Sequence, residues 1–303
     1  MDIRIPLTVR LCLLIILAVL LITFTGCALT AKQKVAVSQF SGSAATLGDV
    51  TSSQLIAMRD NTMKMTTERL LLGGKSKDPN LGDQTSLDHG FDVERVETIS
   101  GATQALAAYG KSLAALVDDT QSAELKTASN EFVASLGSVP TAKAHLSDEQ
   151  LQAIGTVVQE VGGFWIEWKR KQAVTTIVKN SKDVVDHLCD LLVRDFDPKN
   201  GWVGLQLQVI EDPLMAEATN VLYDGKTYND RKIALEAFQV AYDNKMSRTQ
   251  ILKRVTDAAT AMKKANNALA NAVAKSDWSV QDIQDFAQKA QSLQMAIKII
   301  VTK

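Results

Sequence analysis

Proline and aromatic residues are scarce in this chain, and neither sign of charge is in excess. Its 303 residues include five prolines, and aromatic residues make up 5% of the total. Alanine, leucine, glutamine, lysine, aspartate and threonine dominate instead, and no segment alternates apolar and polar residues over a convincing length. This composition favours long helices over strands, so we expect an all-α protein.

The near balance of charge limits the kinds of partner. The 33 basic residues are matched by 34 acidic ones. Binding to DNA or RNA calls for a concentrated basic face, and nothing in this sequence indicates one. We therefore predict no nucleic-acid partner.

The N-terminal segment has the pattern of an export signal. Arg4, Arg10 and the free amine outweigh the single acid Asp2, and residues 11–24 are apolar apart from Thr23. A helix that crosses the hydrocarbon core of a bilayer needs roughly 20 apolar residues, so this run is too short to span one. A basic segment followed by an apolar run of this length is typical of a secretory signal peptide.

The apolar run ends in Phe24, Thr25, Gly26 and Cys27. This motif resembles the lipobox of bacterial lipoproteins, an apolar residue and two small residues before a cysteine, with Phe24 where leucine is usual. The resemblance implies that a diacylglycerol is attached to the Cys27 sulfur, that residues 1–26 are removed, and that the new amine is acylated. Two or more acyl chains hold a protein stably on a membrane, whereas one binds reversibly. The competing interpretation is an uncleaved N-terminal helix that ends in a chance cysteine.

The residue after the cysteine, Ala28, bears on where the protein resides. In bacteria with two membranes an aspartate at this position commonly retains a lipoprotein at the inner membrane. The resemblance therefore implies the periplasmic face of the outer membrane, if the organism is Gram-negative. With residues 1–26 removed and Cys27 lipidated, Cys189 would be the last free thiol, and its leucine neighbours predict that it is a buried apolar residue.

Apolar residues recur at steps of three and four over long segments, the pattern of helices that pack along one face. We predict one lipid-anchored helical domain over residues 27–303, in two blocks, 27–140 and 147–303. The predicted helices are 31–72, 92–136, 147–196, 202–223, 230–244, 247–275 and 280–301. Breaks or bends are expected near residues 118–120 and at Gly162-Gly163. These lengths predict an elongated bundle of long antiparallel helices.

Local signals mark several of the predicted boundaries. Ser147 followed by Gln150 is a capping box, which begins a helix. Residues 197–201, Asp-Pro-Lys-Asn-Gly, predict a turn. Pro213 should break the helix around it or begin a new one, because proline lacks an amide hydrogen.

Four sequence patterns resemble binding or catalytic sites, but a structural role explains each of them better. Residues 73–76 resemble the end of a phosphate-binding loop without its first glycine or its preceding strand. The acidic segments that begin at Asp78 and Asp195 lack the glycine and glutamate positions of a calcium-binding loop and should be solvated turns. Asp183, Asp186, His187 and Asp190 share a helix, and we expect a solvated face there. We therefore predict no cofactor, no metal and no catalytic residues.

The most unusual segment combines two tryptophans with three basic residues, Trp165, Trp168, Lys169, Arg170 and Lys171. One interpretation is an interface with a membrane or a protein partner. The alternative, which we favour, has both tryptophans in the core while the basic side chains extend outward to solvent.

Together these features predict a non-catalytic scaffold or interaction protein of the cell envelope, tethered by Cys27 close to the bilayer. An envelope protein would be its partner. Two alternatives remain open at this point. One is a membrane-active, pore-forming or toxin-like bundle, and the other is a cell-wall enzyme with carboxylates converging from different helices.

Overall fold

A computed structural model describes residues 29, 31–73, 91–117, 122–139, 147–159 and 167–275, with isolated positions 280, 281, 284, 285, 288 and 295. This part of the chain forms seven α-helices and contains no strand, which confirms the all-α prediction. The helices are α1 (Ala31–Leu71), α2 (Val93–Val117), α3 (Ser122–Ser138), α4 (Asp148–Gln159), α5 (Glu167–Asp195), α6 (Trp202–Asp224) and α7 (Tyr228–Lys275).

Helix α1 matches the prediction for residues 31–72 and ends where the sequence provides a glycine. The backbone of Gly73 has φ 72°, a left-handed conformation that glycine adopts without a Cβ clash. Its amide donates a hydrogen bond of 3.0 Å to the carbonyl oxygen of Leu70. At 1.5 Å per residue, the 41 residues of α1 extend about 60 Å.

Helices α1 and α2 are antiparallel neighbours. The hydroxyls of Ser52 and Ser100 lie 3.3 Å apart at one position, and the rings of Phe40 and Tyr109 pack edge to face with centroids 6.1 Å apart further along. Glycine allows the two backbones to approach closely. A Cβ added at Gly110 would lie 2.5 Å from the carbonyl oxygen of Ser41.

The second predicted helix, 92–136, is two helices, because α2 ends at Val117 and α3 begins at Ser122. The break coincides with the position that we expected near residues 118–120, which lie outside the described residues. Helix α3 turns back along α2. The Ser112 hydroxyl donates a hydrogen bond of 2.9 Å to the carbonyl oxygen of Ala128, and the Tyr109 and Phe132 rings are 5.4 Å apart.

The capping box at the start of α4 is confirmed. The Gln150 amide donates a 3.2 Å hydrogen bond to the Ser147 hydroxyl, and the Ser147 amide donates one of 2.9 Å to Oε1 of Gln150. The predicted helix over 147–196 appears as α4 and α5. The expected bend at Gly162-Gly163 falls between them, outside the described residues.

Residues 197–201 form the predicted turn between α5 and α6. The Asp197 carboxylate accepts hydrogen bonds from the amides of Lys199, at 2.9 Å, and Asn200, at 2.7 Å. These bonds lower the pKa of Asp197. Helix α6 then packs against the first half of α7, where Arg248 donates a 3.1 Å hydrogen bond to the Gly204 carbonyl oxygen and Lys245 contacts Asp212 at 2.9 Å.

The prediction of a break at Pro213 is wrong, because α6 continues through it from Trp202 to Asp224. A proline in a helix leaves the carbonyl four residues earlier without its donor, here that of Val209. Val209 is largely exposed, so water can hydrate that carbonyl. Ile210 and Leu214, on either side, are buried, and their burial offsets the remaining cost.

The two predicted helices 230–244 and 247–275 are a single helix, α7, so the break between them is also wrong. The residues at the expected break, Lys245 and Met246, have good helix propensity. The Ser247 hydroxyl bonds within the helix, to the carbonyl oxygen of Asp243 at 2.9 Å. A second capping box begins α7, in which Thr227 and Asp230 exchange hydrogen bonds of 3.0 and 3.1 Å.

The helices share one hydrophobic core, which draws on residues from both predicted blocks. Helix α7 runs antiparallel to α5, since Lys263 contacts Asp190 at 2.6 Å while Thr256 contacts the Phe196 carbonyl oxygen at 3.0 Å. The buried phenol of Tyr109 donates a 2.7 Å hydrogen bond to Asn266 and so connects α2 to α7.

Candidate functional site

The residues predicted from the lipobox resemblance, Phe24, Thr25, Gly26 and Cys27, lie outside the described residues, as does Trp165. Their roles stay predictions.

The described part of the tryptophan segment begins α5, which contains Trp168. Lys169 and Lys171 are half-buried, whereas Arg170 is buried with 6% of its surface exposed. The expectation that all three basic side chains extend outward is therefore wrong for Arg170. A guanidinium buried at the start of α5 belongs to the packing of that helix.

The acidic cluster on α5 is only partly the solvated face that we predicted. Asp183 is exposed, but Asp186 is largely buried and accepts hydrogen bonds from Lys182, at 3.1 Å, and Asn267, at 3.0 Å. Asp190 pairs with Lys263 of α7, and this hydrogen bond raises the pKa of Lys263. Two of the acids therefore attach α5 to α7.

The other polar candidates on α5 are also structural. Cys189 is fully buried, as predicted, and burial raises the pKa of its thiol well above the ordinary range. Asp195 is buried rather than solvated, and it accepts hydrogen bonds from Arg95 at 2.7 Å and Arg194 at 3.0 Å. The Arg95 guanidinium also lies 5.5 Å from the ring centroid of Trp202. Among the described residues, no three His, Cys, Asp or Glu side chains converge on a metal site.

A cavity of about 160 Å³, mostly apolar with a few polar side chains, lies between α1, α6 and α7. Its walls include Met58 and Asn61 of α1, Glu211 of α6, and Asn244 and Arg248 of α7. The Asn61 amide donates a 2.9 Å hydrogen bond to the Asn244 side-chain oxygen and so joins α1 to α7 beside the cavity.

Glu211 is the acidic residue among those that line this cavity, and its pKa is strongly raised. It is completely buried, and Nη1 of Arg248 lies 3.0 Å from its Oε2, within ion-pair distance. The same Nη1 donates a 3.1 Å hydrogen bond to the Gly204 carbonyl oxygen, and neither Glu211 oxygen accepts a bond of good geometry in the described part. Burial raises the pKa of Glu211 to about 7, although the Arg248 charge opposes this shift.

A signal for this site is present in the sequence, although none of the predictions used it. Glu211 lies four residues after Leu207 and seven before Ala218, both of which are buried on the inner face of α6. An acidic residue at a position of this apolar inner face would place a charge in the core, and a buried charge needs a partner. Chemically, a single carboxylate beside a guanidinium holds helices together or responds to pH.

An exposed apolar stripe runs along the first half of α7. We define it as Tyr228, Leu235, Tyr242 and Met246, which are 80, 53, 45 and 58% exposed. Steps of seven, seven and four residues place them within about 40° on one side of a helix with 3.6 residues per turn. Apolar side chains grouped on a surface in this way are typical of a protein-binding site, and tyrosine is frequent there.

No protein-family model, curated protein or solved structure matches this chain. None of the helices in the described part is both long enough and apolar enough to span a membrane.

Proposed function

We propose that this protein is a lipid-anchored scaffold of the cell envelope, non-catalytic, which binds a protein partner through the stripe on α7. The stripe is the observation that carries the proposal. Anchoring rests on the lipobox resemblance at residues 24–27, with Cys27 as the acylated residue, and implies membrane lipid as a second partner. In a Gram-negative organism the protein would reside at the periplasmic face of the outer membrane.

The position of the stripe suits such a scaffold. Helix α1 begins four residues after Cys27, which leaves little slack between an anchor and the bundle. Arg69, near the far end of α1, forms a 2.7 Å ion pair with Glu217 of α6. Helix α7 begins shortly after the end of α6, so Tyr228 lies toward the C-terminal end of α1.

The cavity beside α1 supports a structural role rather than catalysis. Its single buried carboxylate is paired with Arg248, and cell-wall hydrolysis by paired acids would need a second carboxylate within several ångströms. We expect the pair to position α6 against α7.

Membrane retention tests the anchor. Cys27→Ala in the full chain should release the protein to the soluble fraction of cells, and fatty-acid labelling should be lost. Cys189→Ala is the matched control and should leave both unchanged, because that thiol is buried in the core. Undiminished retention and labelling of Cys27→Ala would contradict the anchor.

Site-specific crosslinking in intact cells tests the stripe. A photoreactive residue at Leu235 should give a discrete crosslinked product, whereas one at Lys111, which is also exposed but lies on α2, should not. Equal products from both positions would show that α7 is not the binding face.

A further inference from the structure

The stripe on α7 is flanked on one side by two exposed residues of opposite charge, Lys232 near its start and Asp243 near its end. They are eleven residues apart, which is close to three complete helical turns, so both lie along the same flank of the stripe. Glu236, which is also exposed, lies on this flank between them, so the flank begins with a basic residue and ends with an acidic one.

This arrangement is self-complementary under a two-fold axis. When two antiparallel helices are related by such an axis, the same flank of each helix faces its equivalent, and the sequence runs in opposite directions. An axis between Ala237 and Phe238 brings Lys232 of one copy beside Asp243 of the other, and the contact occurs twice. In the same register Tyr228 lies opposite Ser247 of the second copy and one residue from Met246, close enough for a favourable contact of sulfur with an aromatic ring.

A parallel pairing in register lacks this match, because each flank would then face the opposite flank of the other helix, and Lys232 would not meet Asp243. Within its own helix Lys232 contacts only Glu236, at 3.9 Å and with both side chains exposed, among the ion pairs of the described residues. The opposite flank carries two basic residues, Arg231 and Lys245, which the same register brings near one another, but Lys245 is already paired with Asp212 of α6 at 2.9 Å, which compensates its charge. An interface in which one patch meets its own copy is the form that two-fold homodimers take.

We infer that the occupant of the α7 stripe is a second copy of this chain, docked antiparallel so that Lys232 and Asp243 pair across a two-fold axis. The inference rests on the proposed function in one respect, since it names the partner for the same surface. Because two short helix faces bury a modest area, the dimer should be in concentration-dependent equilibrium with the monomer, and confinement to a membrane would favour it.

Charge exchange tests the inference on the full chain purified in detergent. Sedimentation equilibrium, corrected for bound detergent, should show that the wild-type chain dimerises. The dissociation constant should rise at least about tenfold in Lys232→Asp and in Asp243→Lys, because each variant loses the close charge pairs across the axis. The double variant, with both changes, should restore wild-type affinity. Lys111→Asp, a charge reversal at an exposed lysine of α2, should have no effect.

Other outcomes overturn the inference. A chain that is monomeric at all concentrations, or a double variant as weak as either single one, rules out this pairing. A monomer that nevertheless crosslinks from Leu235 to a different envelope protein rules out self-association and leaves the scaffold function intact. Loss of membrane retention alone bears on the anchor and not on the dimer.

Discussion

Gly110 of α2 lies against the backbone of α1 so closely that a Cβ at this position would be 2.5 Å from the carbonyl oxygen of Ser41. It would also lie 2.8 Å from the amide nitrogen of Ala45. Backbone atoms cannot yield as the end of a flexible side chain can, so the spacing of α1 and α2 depends on this glycine.

Replacing Gly110 with alanine should therefore destabilise the bundle. We expect the free energy of unfolding to fall by about 1–3 kcal/mol, the usual cost of overpacking, as measured by chemical denaturation. Gly42→Ala is the matched control on α1, where nothing lies within 4 Å of the added Cβ. It should stabilise the protein by up to about 1 kcal/mol through helix propensity. Equal effects of the two substitutions would contradict the close approach.

The hydrogen bond from Tyr109 to Asn266 gives a second test of the core. Tyr109→Phe should lower the free energy of unfolding by about 1–3 kcal/mol, because the buried Asn266 oxygen loses its donor. Tyr242→Phe, on the exposed stripe, is the control and should change stability little. If both substitutions are neutral in thermal unfolding, the bond does not contribute to the packing of α2 on α7.

The capping box of α4 gives a local prediction. Ser147→Ala removes the acceptor for the Gln150 amide and should cost about 1 kcal/mol. Hydrogen exchange of the first turn of α4 would measure this change. Thr156→Ala on the same helix should not weaken protection there, because that hydroxyl bonds only back to the Gln152 carbonyl oxygen.

The apolar periodicity and the helix-boundary residues of the sequence predicted much of the fold, because both depend on residues that are near one another in the chain. The end of α1 at Gly73 and the start of α4 at Ser147 are set by backbone conformation and capping. The continuity of α6 through Pro213 was not predictable in this way. It depends on which side of the helix meets solvent, and that is decided by tertiary packing.

The candidate sites were harder to predict, because they depend on pairs of distant residues. Asp190 has the pattern of a surface acid until Lys263, 73 residues later, is placed beside it. The partner of Glu211 is likewise on another helix, at Arg248. The stripe on α7 was hidden by the predicted bounds 230–244, which left out Tyr228 at one end and Met246 at the other. Its spacing is visible only along one continuous helix.

Glu211 makes the stability of the protein depend on pH. Burial holds its pKa at about 7 in the folded state, against an ordinary value of 4.5. Between these two values the folded state retains a proton that the unfolded state has released, so the free energy of unfolding falls as pH rises. Each unit of pKa corresponds to about 1.4 kcal/mol, which places the full effect at no more than about 3 kcal/mol by pH 7.

Glu211→Gln removes this dependence while it keeps the shape of the side chain. The absolute stability of the variant will differ, because Arg248 loses its charged partner. The informative quantity is therefore the difference between wild type and variant across pH 4.5 to 7, measured by urea denaturation at each pH. This difference should shift steadily in favour of the variant as pH rises. Asp197 and Asp230, whose pKa values are lowered by hydrogen bonds distant from Glu211, titrate in both proteins and cancel. Parallel profiles over this interval would mean that Glu211 ionises as easily in the fold as in water, and that Arg248 and the cavity fully compensate its burial.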